Sequence, residues 1–353
     1  MARLVTTSLA TAGHQVSQGE MRKSIGRWIA GKVRNEQRIL NLFDRSGVDS
    51  RFLLVPMKDL FEPRSLGDRN RQYTEESVGL GLRVSREALA SAGVEPSSVG
   101  LIVSVSCTGF MTPSVDAYLA NQLPLNSDVR RLPITELGCA AGAMALSHAA
   151  DYLIAYPQQS ALVVAVEFPS LNFQPTDFSM DHLVACALFG DGAAASVLVG
   201  EQSGHAPRAP RFAHRKTCFM NDTVEAMGFR LEETGFHMVL DVSIPALLEA
   251  ELPRALRDFL GDVDLTLDDV EHVLVHPGGR KILDFVERMV GRGEMTYARR
   301  VLARYGNLSS VSIMALLHEF ERDNVAAPGD RAVLIAFGPG FNAELILLEW
   351  PRC

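Results

Sequence analysis

The chain is short of cysteine, of basic charge and of long apolar runs, and each shortage excludes something. Its five cysteines in 353 residues form no CxxC pair. That excludes a disulfide-stapled scaffold and a zinc ribbon, and it reads as free thiols in a reducing compartment. Lys and Arg number 34 against 42 Asp and Glu, a net charge of −8, where a nucleic-acid protein would normally carry the opposite balance. No stretch approaches the roughly eighteen consecutive apolar residues of a membrane helix. The N-terminal run MARLVTTSLATAGHQV has one early Arg and is interrupted by Thr and Ser. It reads as a poor signal peptide, so the mature chain is expected to start here and to be cytoplasmic. What remains is globular, 47% hydrophobic and 22% charged, with about two domains as a soft expectation.

Short apolar runs alternate with longer helical stretches. Helices are expected at Gly19 to about Asp44, Glu75–Ser91, Ala140 to about Tyr156, Pro245–Leu260 and Leu308 to about Arg322. Buried strands are expected at Leu101–Val105, Ala161–Val166, Ala193–Val199, His272–Val275, Ala332–Ala336 and Glu344–Leu348. Continuous apolar strands between helices indicate an α/β fold with sheets covered on both faces. The pattern repeats: SVGLIV from Ser98 resembles DVEHVL from Asp269, and ALVVA from Ala161 resembles AVLIA from Ala332 at the same spacing. Helices start after Cys139 in one half and after Asn307 in the other. The first half carries about 22 extra residues, from Phe168 to about Phe189. An internal duplication would pack two copies about a pseudo-twofold axis and bring Cys139 and Asn307 together. Two unrelated α/β domains are the alternative.

Cys139 opens a helix of small apolar residues, AAGAMALSHAA. The free N–H groups and dipole of a helix start lower a thiol pKa, although a cysteine there can equally be a small buried hydrophobe. His276 ends a strand and precedes Pro277-Gly278-Gly279, as a site residue or a structural histidine. Asn307 is either an N-cap or an amide donor. Taken together, a thiolate, an imidazole and an amide suit acyl transfer through an oxyanion or enolate.

The segments ELGCAAGA, LVHPGGRKILD and YGNLSS resemble the Cys-His-Asn motifs of type III polyketide synthases, the chalcone-synthase family. AFGPGF resembles the family's glycine-rich loop near the active site, with Gly338 and Pro339. ALFGDGAA and TGFHMVLDV resemble its two gatekeeper segments, which places those roles on Phe189 and Phe236. The resemblance runs from about Phe43 to the C-terminus. It implies a thiolase-like fold of two αβαβα copies, with residues 1–205 carrying the cysteine and 206–353 the histidine and asparagine. It also implies acylation of Cys139 by a starter acyl-CoA and decarboxylation of malonyl-CoA beside His276 and Asn307, followed by repeated condensation and cyclisation. CoA thioesters are substrates, and no metal or other cofactor is implied. Arg38 and Arg45 match two of the family's three basic CoA residues, with Asn41 at the middle position. Arg280 and Lys281 are further CoA candidates. Thr112 matches the point where a dimer partner reaches the cavity, so a homodimer is expected.

The resemblance divides over the starter. Cys107, in SVSCTGF, is similar to the cavity residue of bacterial tetrahydroxynaphthalene synthases, which start from malonyl-CoA. The segment NDTVEAMGF resembles alkylpyrone and alkylresorcinol synthases, which take long fatty acyl starters. The fatty acyl reading is preferred, and Cys107 can be simply a small lining residue. Ketoacyl-ACP synthase III shares the triad but normally has an HQAN-like segment where this chain has HPGG. A non-catalytic acyl-CoA-binding protein would be expected to have lost the nucleophile. A Cys139 no more reactive than Cys218 or Cys353 would support it.

Overall fold

The computed structural model describes residues 1–291 and 295–352; Cys353 lies outside them. The strands are β1 (Ala2–Thr11), β2 (His14–Ser17), β3 (Ser50–Leu53), β4 (Val99–Val105), β5 (Arg130–Ile134), β6 (Ser160–Glu167) and β7 (Gly192–Gly200). They continue as β8 (Arg211–Phe219), β9 (Met227–Glu232), β10 (Gly235–Leu240), β11 (His272–Val275), β12 (Arg331–Gly338) and β13 (Asn342–Glu349). The helices are α1 (Gln18–Ile29), α2 (Glu36–Arg45), α3 (Leu66–Ala92), α4 (Val115–Gln122) and α5 (Ala141–Ala155). Then come α6 (Met180–Leu188), α7 (Ile244–Gly261), α8 (Arg280–Val290), α9 (Thr296–Tyr305) and α10 (Val311–Asp323).

Nine strands form one sheet in the order β11-β12-β13-β8-β1-β7-β6-β4-β5. The duplication is visible in the pairing. β4 runs parallel to β6, which is antiparallel to β7, which is antiparallel to β1. β11, β12, β13 and β8 repeat that sequence of directions, and the two sets meet where Arg3 pairs with Arg211. The architecture is thiolase-like. Strands such as β6 and β7 are apolar at nearly every position because both faces are covered. Leu162 and Val164 face α3, with Ile102 in the same cluster beside α4, while Leu101, Val103 and Val163 face α5.

Helices α5 and α10 lie in the middle, touching strands of both halves. The small side chains of α5 let the two approach closely: a Cβ on Gly142 would stand 2.1 Å from the Ser310 carbonyl oxygen. The extra segment of the first half is residues 168–191, where only 339–341 link β12 to β13. It carries α6.

Three expectations need correction. The helix expected from Gly19 to Asp44 is two helices, broken where Gly31 (φ 70°) and Asn35 (φ 60°) turn left-handed. Helix α3 begins at Leu66, well before Glu75, because the Ser65 hydroxyl caps it by accepting from Asp68 N–H. The N-terminal run, read as a poor signal peptide and assigned no strand, is the central strand β1. Its Thr and Ser are absorbed by partners such as Ser196 Oγ, 2.9 Å from Thr7 Oγ1. Among the described residues no helix is long and apolar enough to cross a membrane.

Candidate active site

The starts of α5 and α10 converge, as the repeat implied. Cys139 sits in a single 3-10 turn, Gly138–Ala140, ahead of α5 and is buried. The C-terminal loop presses on this turn. A Cβ on Gly138, whose φ is +49°, would lie 2.7 Å from Pro339 Cδ. One on Gly338 would lie 2.6 Å from Ala140 Cβ. Glycine is therefore demanded on both sides of the contact.

His276 closes β11, its N–H bonded to Ile335 O at 2.7 Å, and its ring is buried with Nδ1 unpartnered. Asn307 enters α10 from a glycine turn. Its Oδ1 accepts from Ser309 N–H at 2.9 Å and from Ser312 Oγ at 3.2 Å. The N-cap reading needs correction: α10 begins at Val311 with Ser310 at its N-cap position, and Asn307 lies in the turn before it. Its carbonyl oxygen secures the turn, and its amide hydrogens have no partner among the described residues.

Burial dominates the electrostatics. It pushes the Cys139 thiol up to about 12 and the His276 imidazole down to about 4. The first is opposite to the lowering expected from a helix start, because desolvation of a lone thiolate outweighs the dipole. Each shift is the penalty for one isolated charge. A thiolate and an imidazolium made together would relieve both.

Cys139, His276 and Asn307 open into one cavity of about 910 Å³. Phe189, Phe236, Cys107 and Pro339 also line it. Phe189 ends α6, and Phe236 stands on β10 edge-on to Phe229 at 5.8 Å. The basic candidates Arg38, Arg45, Arg280 and Lys281 border the same cavity on α2 and α8. Arg280 has Asp284 at 3.7 Å. Two candidates are not lining residues. Gly338 lies behind the Cys139 turn, where its missing side chain makes room, and Thr112 is exposed at the cis Thr112–Pro113 bond.

Sequence reasoning missed two groups beside the thiol. Ser309 Oγ lies 3.5 Å from both Cys139 Sγ and Cys107 Sγ. Glu167, fully buried, accepts from Thr108 Oγ1 at 2.8 Å, Cys107 N–H at 3.1 Å and Ser310 Oγ. Burial raises its pKa against these bonds. A lone carboxylate ending the apolar run ALVVAVE was the available signal. Such a set can transfer an acyl group through a thiol and hold a developing oxyanion with an imidazole and an amide.

Comparison with known proteins agrees. Residues 56–203 match the family described as chalcone and stilbene synthases, N-terminal domain, and residues 212–350 match the C-terminal domain. The chain is 36% identical over 315 residues to 1,3,6,8-tetrahydroxynaphthalene synthase of Streptomyces coelicolor, covering 88% of this chain and 82% of the relative. It is 32% identical to phloroglucinol synthase of Pseudomonas fluorescens, covering 86% of each. The crystal structure of the S. coelicolor tetrahydroxynaphthalene synthase, a bacterial type III polyketide synthase, superposes with a TM-score of 0.94 at 32% identity, covering 99% of this chain and 100% of that one.

Proposed function

Because this chain belongs to the chalcone and stilbene synthase family and is a type III polyketide synthase, we propose that it extends an apolar acyl-CoA starter with malonyl-CoA. The starter is a medium- or long-chain fatty acyl group, and the product is of alkylpyrone or alkylresorcinol type. One observation carries the choice of starter. The β9–β10 hairpin lines the same cavity as Cys139 with Met227, Phe229, Leu231, Met238 and Leu240, an apolar surface for an alkyl chain.

Cys139 passes its proton to His276 and attacks the starter thioester carbonyl. CoA leaves as a thiolate and takes the proton back. Malonyl-CoA then loses CO2, and the enolate is held by hydrogen bonds from His276 and the Asn307 amide. The enolate carbon attacks the Cys139 thioester, releasing the Cys139 thiolate, and the lengthened chain on CoA returns to Cys139 for the next round. Arg38, Arg45, Arg280 and Lys281 take the CoA phosphates. Phe189 and Phe236 narrow the passage between that basic mouth and the reaction chamber. CoA thioesters are the only small molecules these steps require.

A second reading has its own support. Cys107 shares Ser309 with Cys139, and relatives 36% and 33% identical are tetrahydroxynaphthalene synthases, which favours malonyl-CoA as both starter and extender. Incubation with malonyl-CoA alone, then with acyl-CoA starters of increasing length, separates the two by product mass. Alkyl products that follow the starter are expected. A starter-independent aromatic product from malonyl-CoA alone would overturn the fatty acyl choice.

A further inference from the structure

Among the described residues the largest fully buried side chain is a cation, Arg51 on β3. No carboxylate forms an ion pair with it among the described residues. Its fork instead donates to three carbonyl oxygens at the end of α6: Cys186 and Phe189, each at 2.9 Å, and Ala187 at 2.7 Å. It also donates to Gln18 Oε1. Gln18 Nε2 in turn donates to Ala187 O at 3.0 Å and Ser46 Oγ at 2.8 Å. The unpaired carbonyls of a helix C-terminus favour a cation there, and the buried Asp191 carboxylate acts on it without forming an ion pair, but a buried guanidinium whose hydrogen bonds go only to neutral oxygens is expensive in solvation. Burial accordingly lowers Arg51 to about 10.

The segment held by this fork reaches the active site directly. Phe189 forms a parallel bridge with Asn307: Asn307 N–H donates to Leu188 O at 2.8 Å, and Gly190 N–H donates to Asn307 O at 3.0 Å. The approach is tight. A Cβ on Gly306 would lie 2.5 Å from Leu188 O, and one on Gly190 would lie 2.2 Å from Tyr305 O. Residues 188–190 of the first half are thus the template against which Asn307 of the second half is set. Cys139 stands on a separate element, the turn before α5.

We infer that Arg51 is a positioning residue, fixing the 188–190 strand so that the Phe189 ring and the Asn307 amide keep their places across the cavity. The inference rests on the polyketide synthase reading for its effect on turnover, though not for its geometry. Loss of the fork should therefore harm the step that uses Asn307, malonyl-CoA decarboxylation, and spare acyl loading of Cys139.

The test compares wild type with Arg51→Lys, which keeps the charge but not the fork, Arg51→Met, and Gln18→Ala, which removes one of the fork's acceptors. Thermal melting identifies the folded variants. Acyl loading is read by intact-protein mass with an acyl-CoA starter, decarboxylation by CO2 release, and the amides of Gly190 and Asn307 by hydrogen exchange. Folded Arg51→Lys is expected to load at the wild-type rate, to decarboxylate at least tenfold more slowly, and to exchange Gly190 and Asn307 about tenfold faster. Gln18→Ala should show the same pattern more weakly, and Arg51→Met more strongly where it folds. Unchanged exchange and decarboxylation in Arg51→Lys would overturn the inference. So would loading and decarboxylation falling together in proportion to folded protein. A wild type that neither loads nor decarboxylates would fail the polyketide synthase reading, while the exchange data would still judge the bracing.

Discussion

At the scale of single residues, the site is a balance between burial and paired charge. Desolvation alone leaves Cys139 a thiol and His276 a neutral imidazole, so the proposed proton transfer between them is what would make the thiolate. His276→Gln is therefore expected to slow alkylation of Cys139 by iodoacetamide at pH 7 by about tenfold or more, measured by peptide mass. An unchanged rate would show that the helix start alone activates the thiol. A second buried group predicts a pH effect. Glu344, held by Thr217 Oγ1 at 2.9 Å and Asn342 Nδ2 at 2.7 Å, is raised by burial to about 7. Its contribution to stability is full below the ordinary carboxyl range and is lost as pH rises through 7. Glu344→Gln stays neutral, and its amide could donate to the buried, unpartnered Asn342 Oδ1. Urea unfolding should find this variant gaining on wild type by about 1–3 kcal/mol between pH 5 and pH 8. A difference that does not change with pH would contradict the assignment. Cys139, His276 and Asn307 each sit beside a glycine at the edge of an element, which left two readings for each, and it was the family resemblance that singled them out in the sequence. Glu167, Ser309 and Arg51 were not legible there, since their importance lies in contacts between segments far apart in the chain.

At the scale of elements, the crossing of α5 and α10 sets the site. Gly142→Ala would drive a methyl group into the Ser310 carbonyl, where the ideal Cβ has only 2.1 Å. Overpacking of this kind costs about 3 kcal/mol, and here it also pushes Cys139 and Ser309 apart. A lowered urea midpoint together with weaker acyl loading is the expected pair of results. Wild-type stability would show that the helices can slide. Apolar elements such as β6, β12 and α5 were readable because their period and small residues match their burial. Strands β1 and β8 were not. Their Thr, Ser, Arg and Lys satisfy themselves through tertiary partners, for example Arg215 with Asp151 at 2.6 Å and Lys216 with Asp262 at 2.5 Å. Local pattern contains no trace of those partners.

At the scale of the whole molecule, the duplication explains why one cavity receives its thiol from the first half and its imidazole and amide from the second. The repeat was legible because similar apolar runs, such as Ala161–Ala165 and Ala332–Ala336, recur in the same order, whereas the strand order, the pairing directions and the junction at Arg3 and Arg211 have no sequence mark. Near Thr112, Phe110 is 64% and Tyr118 37% exposed, and the homodimer that the family resemblance implies is predicted to cover them. Sedimentation should return twice the chain mass, and a monomer at micromolar concentration would contradict it. The central claim is that Cys139 carries the growing chain, and peptide mass spectrometry of protein quenched during turnover with starter and malonyl-CoA tests it most directly. The account predicts acyl adducts on the Cys139 peptide that lengthen by two-carbon ketide units, and none in Cys139→Ala. Adducts on Cys107 or Cys186 instead, or a Cys139→Ala protein that still extends the chain, would contradict it.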